Sequence, residues 1–200
     1  MSLPEKFKDS LPFASVLKEK LLLGLLQKPL VSVRTNPFKP VDIFKSDENV
    51  PWSHNGKYLK ERPEFVSDPM FHSGAFYPQE ASSMFLGQIL NSIDLSQKIV
   101  LDLCAAPGGK STLINSFLPK DALLIANEVI KSRSWILKEN MDKWGSSNVV
   151  VTNNDPSDFE QFLGFFDVVV VDAPCSGEGM FRKDKNAINE WSERNVNLCC

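Results

Sequence analysis

The chemistry this chain could perform is concentrated in two stretches. The first, KIVLDLCAAPGGKS (Lys98–Ser111), carries an acid, a thiol, a glycine pair and a lysine. Ile99, Val100, Leu101 and Leu103 predict a short buried strand with Asp102 near its end, and a helical pattern starts at Lys110. Strand, small-residue turn and helix make the ligand-binding corner of a doubly wound α/β sheet. The glycines let a ligand approach the main chain, and the helix start offers free N–H groups to a carboxylate or phosphate. The turn is neither G-x-G-x-x-G nor G-x-x-x-x-G-K-[ST]. Cys104 stands where the latter needs its first glycine, so nucleoside triphosphate binding is set aside. The plain alternative is a structural turn with no ligand.

Asp102, Glu128, Asp155 and Asp172 fall at or just past the carboxyl ends of four successive predicted strands. In an open α/β sheet that edge binds ligands. An acid about 20 residues beyond the glycine turn is placed to accept hydrogen bonds from ribose hydroxyls, which is the position of Glu128. Asp155 is placed to meet an adenine edge. One such acid is weak evidence, because Asp often caps the next helix. Four acids would repel phosphates, so an adenosine with a cationic, phosphate-free tail fits best. S-adenosylmethionine is that ligand, its carboxylate suiting the helix N-terminus.

The second stretch is DAPCSG (Asp172–Gly177). A cysteine directly after the fourth strand would sit beside the methyl donor. Carbon 5 of a pyrimidine attacks a methyl group only after a thiolate adds at carbon 6. An acid near the ring nitrogen, such as Asp172, assists that addition. The plain alternative for Cys175 is a small residue in a tight turn.

These residues need elements to hold them. Residues 1–10 are polar and expected to fray. Leu11–Gln27 has helical spacing and stops before Pro29, and Val31–Pro40 predicts a short strand and a proline turn. Val41–Pro69 predicts loops and short strands. A glycine turn at residues 72–78 leads to a helix from Gln79 to Ile93, with Ala81, Phe85, Leu86, Ile89 and Leu90 inward. Ala122–Asn127, Asn148–Thr152 and the start of Asp167–Gly179 follow Lys98–Leu103 as buried strands. Helices at about Lys110–Leu118 and Lys131–Trp144 separate them, and a last one starts at Lys185 with Ile188, Trp191 and Leu198 on one face. This alternation implies a parallel sheet with right-handed crossovers. The expected organisation is a small α+β module over residues 1–70 and an α/β sheet domain over 71–200.

A chain of 200 residues, 42% hydrophobic and 24% charged, can build a sizeable core. It contains no apolar run of membrane-spanning length and no signal-peptide pattern, so a cytoplasmic location without membrane contact is expected. Four cysteines without C-x-x-C or histidine spacing argue against disulfides and metal. The net charge of −3 argues mildly against a generic nucleic-acid surface, though not against a local basic groove.

The motifs DLCAAPGGKS, Asn127-Glu128 followed by Arg133, Asn154-Asp155, DAPCSGEGMFRKD and the upstream HSGAFYPQEASS resemble the NOL1/NOP2/Sun family of RNA cytosine-C5 methyltransferases. The likeness runs from Thr35 to Trp191. The segments SGEGMFRKD and RTNP are similar to those of its bacterial members that methylate 16S ribosomal RNA. The resemblance implies a Rossmann-like methyltransferase sheet, S-adenosylmethionine as cofactor and RNA as partner, ribosomal first and transfer RNA second. It places the cofactor against Cys104, Ala105, Ala106, Pro107, Gly108, Gly109, Lys110, Glu128, Arg133, Asp155 and Asp172. Catalysis falls to Cys175, as the cysteine that helps release the methylated base, and to Asp172.

In the family the nucleophile is a different cysteine, in a T-C-[ST] motif after the next strand. That motif is absent here, and Cys199 and Cys200 lack its context. The family sheet has seven strands and four are legible, so the chain looks like the N-terminal part of a longer enzyme, inactive by itself. Three other classes remain open: a non-catalytic RNA-binding or assembly module, a DNA cytosine-C5 methyltransferase and a small-molecule methyltransferase.

Overall fold

Polar residues dominate the start of the chain, yet Phe7 gives it a buried anchor. In a computed structural model, which describes residues 3–45 and 47–199, α1 (Glu5–Ser10) buries Phe7 to 3% exposure. Over residues 3–10 this corrects the expected frayed start: one aromatic on a short helix is enough to dock it. Helix α2 (Ser15–Leu25) is shorter than the 11–27 span expected.

Four short strands, β1 (Val31–Thr35), β2 (Glu48–Asn49), β3 (Gly56–Leu59) and β4 (Phe76–Pro78), pair antiparallel in the order β2-β3-β1-β4. Strand β4 corrects the expected passage from a glycine turn directly into a helix. Helix α3 (Pro69–His72), capped by the Asp68 carboxylate, precedes it. A 3-10 turn at Ala81–Phe85 and the short α4 (Leu86–Leu90) replace the long helix read over 79–93. Leu90 and Ala81 are buried as expected, but Phe85 and Ile89 are exposed.

The aliphatic runs become β5 (Ile99–Asp102), β6 (Leu123–Asn127), β7 (Val149–Thr152) and β8 (Val168–Val170). They form a parallel sheet in the order β7-β6-β5-β8, with Leu101 opposite both Ile125 and Val169. Between them lie α5 (Gly109–Phe117) and α6 (Lys131–Trp144), close to the spans read from sequence. The core of this sheet gathers Val100, Ile114, Leu124, Leu137 and Met141. The order reverses between β5 and β8, and such a reversal opens a crevice at the strands' carboxyl ends.

Both sheets belong to one compact unit, Leu30–Asp172. Within it, Asn36 Nδ2 donates to the carbonyls of Gly74 (2.8 Å) and Trp144 (3.0 Å), tying β1 to the end of α6. A Cβ on Gly74 would lie 1.9 Å from the Lys143 carbonyl oxygen, so only glycine allows this approach.

The other unit comprises Met1–Pro29 and Ala173–Cys200. Its core is Leu3, Phe7 and Phe181, flanked by Leu22, Ile188 and Trp191, with the Phe7 and Phe181 rings edge-to-face at 5.0 Å. The single last helix read from sequence is two, α7 (Lys185–Glu190) and α8 (Glu193–Leu198). Ser192 breaks the run by capping α8, its Oγ accepting from the Asn195 amide at 3.2 Å. Leu198, expected inward, is 75% exposed. Cys200 lies outside the described residues.

Candidate functional site

The loop from β5 to α5 is anchored at its start by two backbone bonds. Leu103 N–H donates to Val170 O (2.9 Å) and Ala105 N–H to Asn127 O (2.8 Å). Gly108 then takes a left-handed conformation (φ +109°), which reverses the chain into the helix. The next four carbonyls are all engaged by the protein. Ala106 O accepts from Arg133 Nη2 (2.8 Å), and Pro107 O from Asn140 Nδ2 (2.7 Å) and Tyr77 Oη (3.3 Å). Gly108 O accepts from the Thr112 amide and Oγ1, both at 2.8 Å. Gly109 O accepts from Gln79 Nε2 (3.0 Å) and Arg34 Nη2 (3.3 Å). With its acceptors held, the loop leaves the donors of the α5 start to meet a ligand.

Three acids surround this loop. Asp102, fully buried, accepts from Ser111 Oγ at 2.7 Å through Oδ2. Its Oδ1 is buried with no hydrogen-bond partner among the described residues. Burial pushes its carboxyl up to about 6, against the Ser111 hydrogen bond and the Lys110 charge, with Asp172 adding to the rise. Glu128, 2% exposed, accepts the Ile130 amide at 2.9 Å and lies 3.3 Å from Arg133 Nη1. Arg133 thereby links the end of β6 to the Ala106 carbonyl. Asp172 is exposed and ion-paired with Lys110. Cys104 sits among these acids: burial, then the charges of Glu128, Asp102 and Asp172, hold its thiol protonated, so it is a poor nucleophile.

The structure thus brings together Cys104–Lys110, Glu128, Arg133 and Asp172. Asp155, in contrast, is exposed just past β7, where it caps the 3-10 turn Pro156–Phe162. Its carboxylate accepts from the Ser157 amide and hydroxyl at 3.0 and 2.6 Å, and those bonds hold it below the usual carboxylate range. Cys175 is exposed and belongs to the other unit. No group of three or more His, Cys, Asp or Glu among the described residues could hold a metal ion.

Sequence reasoning missed the side chains that support the loop: Arg34, Tyr77, Gln79, Thr112, Asn127 and Asn140. Arg34, Tyr77, Gln79 and Asn127 fall in segments quoted above for their likeness, which was the available signal. Asn127 joins three strand ends, donating to Leu103 O (3.2 Å) and Asn154 O (3.0 Å) and accepting from Thr152 Oγ1 (2.8 Å).

Comparison with known proteins places this arrangement. Residues 3–81 match the N-terminal domain of 16S rRNA methyltransferase RsmF. Ribosomal RNA small subunit methyltransferase F of Pectobacterium atrosepticum is 35% identical over 212 residues, covering 98% of this chain and 44% of that protein. Its namesake in Psychromonas ingrahamii is 37% identical over 213 residues, again covering 98% and 44%. The chain therefore spans less than half the length of these relatives. Among solved structures, NSun6 from Pyrococcus horikoshii superposes with a TM-score of 0.78 at 16% identity, over 98% of this chain and 76% of that one, which shows a shared fold. Residues 88–200, the whole parallel sheet and its loops, match the family described as 16S rRNA methyltransferase RsmB/F, and the chain belongs to that family.

Proposed function

We propose that the protein methylates carbon 5 of a cytosine in 16S ribosomal RNA, with S-adenosylmethionine as donor. The observation that carries this reading is the set of carboxylates at adjacent strand ends, Asp102, Glu128 and Asp172, around a loop whose four carbonyls from Ala106 to Gly109 are held by the protein. The donor set fits a sulfonium and an ammonium, and it disfavours phosphates. Glu128 takes the ribose hydroxyls, and the α5 start takes the carboxylate. Asp155 meets the adenine edge from its exposed position. When bound, the cofactor supplies an electrophilic methyl group.

The chain's own residues then act on the base. Asp172, ion-paired with Lys110 beside the loop, holds the ring so that a thiolate can add at carbon 6. Cys175 helps free the methylated product. The thiolate itself comes from a T-C-[ST] tripeptide, which these 200 residues do not contain, so alone they do not turn over.

The test uses protein from the complete reading frame, 16S ribosomal RNA and tritiated S-adenosylmethionine, with Cys175→Ala alongside the native protein. Methyl transfer to cytosine by the native protein, and a protein–RNA adduct surviving denaturing electrophoresis in the variant, are expected. Loss of the adduct in Cys175→Ala would make Cys175 the nucleophile. Modestly reduced turnover with no adduct would make it a packing residue. No transfer by the native protein would overturn the reading altogether.

A further inference from the structure

Arg34 is 1% exposed, and its five hydrogen bonds all end on neutral oxygens. Nε donates to Gln79 Oε1 (2.7 Å), Nη1 to Ser116 Oγ (3.1 Å) and Thr112 O (3.4 Å), and Nη2 to Thr112 Oγ1 (2.6 Å) and Gly109 O (3.3 Å). Its guanidinium carbon lies 4.5 Å from the centre of the Trp144 ring. Four of the five bonds therefore reach α5, three of them on Gly109 and Thr112 in its first turn. Burial, opposed by Tyr77, lowers the guanidinium to about 9, which still leaves it charged at neutral pH.

A buried charge is costly unless its surroundings hold it, and here what holds it is the first turn of one helix. The fork fixes the carbonyl side of that turn. Its net charge is not cancelled by any of the five acceptors, so it adds to the positive field at the helix start. We infer that Arg34, with Gln79 as its brace, is a positioning residue of the N-terminal sheet that sets the α5 start to receive the carboxylate of the cofactor. The inference rests on the cofactor reading above. It makes β1 part of the cofactor site without touching the ligand, and it gives the antiparallel sheet a task in recognition.

The test measures, by calorimetry on the complete protein, the binding of S-adenosylhomocysteine and of 5′-methylthioadenosine, which lacks the amino acid carboxylate. Arg34→Lys keeps the charge and loses the fork; Thr112→Val removes the 2.6 Å bond, together with the Thr112 Oγ1 bond to Gly108 O, with almost no change of shape. Each should weaken S-adenosylhomocysteine, by about tenfold for Arg34→Lys and less for Thr112→Val, while leaving 5′-methylthioadenosine within about twofold. Asn36→Ala, which cuts two buried bonds of the same seam without reaching α5, should leave the ratio of the two affinities unchanged. If the native protein binds neither ligand, the cofactor reading fails. If it binds both and Thr112→Val weakens them equally, only the role of Arg34 fails. Should Arg34→Lys not fold, Thr112→Val decides alone.

Discussion

The strands on either side of β5 end in acids of opposite character. Glu128, after β6, has a side chain 3% exposed and both oxygens engaged by Ile130 and Arg133. Asp172, after β8, has a side chain 57% exposed and a lysine on it. An acid locked in place presents its remaining lone pairs in one direction before any ligand arrives, which lowers the ordering cost of binding. An exposed ion pair is worth about 0–1 kcal/mol and exchanges partners readily. One flank of the crevice is therefore preformed and the other adjustable.

The sharpest probe of this contrast is Asp102, on the strand between the two flanks. Raising its carboxyl from 3.8 to about 6 costs roughly 3 kcal/mol at neutral pH. Between those values the folded protein binds more protons than the unfolded chain, so stability falls as pH rises through the window. Above about 6 the loss is complete. Asp102→Asn should abolish that fall, seen as denaturant midpoints that no longer decline from pH 4 to 6. Parallel curves for variant and native protein would show that the carboxyl titrates normally.

A smaller effect separates the flanks directly. Glu128→Ala removes a charged acceptor and leaves Arg133 unpaired, so cofactor binding should weaken by about 1.5–3 kcal/mol. Asp172→Ala should weaken it by less than about 1 kcal/mol, because the Asp172 carboxylate is itself more than half exposed. Equal losses in calorimetry would erase the distinction.

The smallest effect belongs to the outer edge. Among the described residues β8 pairs with β5 alone, and Val169 is 52% exposed there. Val169→Lys should change stability by no more than about 0.5 kcal/mol while reducing self-association of the 200-residue chain, read by light scattering. Unaltered association would place the sticky surface elsewhere.

How much of this was legible beforehand depends on where each residue's partner lies. The four parallel strands read plainly, because each is written as an unbroken aliphatic run, although Val150 in β7 and Val169 in β8 stay about half exposed. The glycine turn and the acids followed from position alone. Strand β4 did not, since three residues with one proline carry too little periodicity, and only Val33, Arg34 and Thr35 across the sheet define it. Arg34 looked like the polar half of an alternating strand. Its partners in α5 lie at least 75 positions away, beyond the reach of local pattern. Asp155 shows the opposite difficulty: the signal for a capping residue and the signal for a ligand acid are the same letter at a strand end, and the structure displays the capping bonds. The apolar spacing of Ile188, Trp191 and Leu198 reads as one helix, and the cap at Ser192 divides it.

The sheet order has a consequence in time. Strand β5 finds β6 about 24 positions along the chain, yet its other side waits for β8, with Leu101 meeting Val169. As the chain leaves the ribosome, β5, β6 and β7 can pair with one another while one edge of β5 stays bare through the synthesis of two more crossovers. Closing that edge requires the longest loop in the sheet, and long-range parallel pairing is the slow part of folding. Among the described strands, the one that carries Asp172 to the crevice is thus the last to arrive, and its docking brings Asp172 beside Asp102 and Glu128.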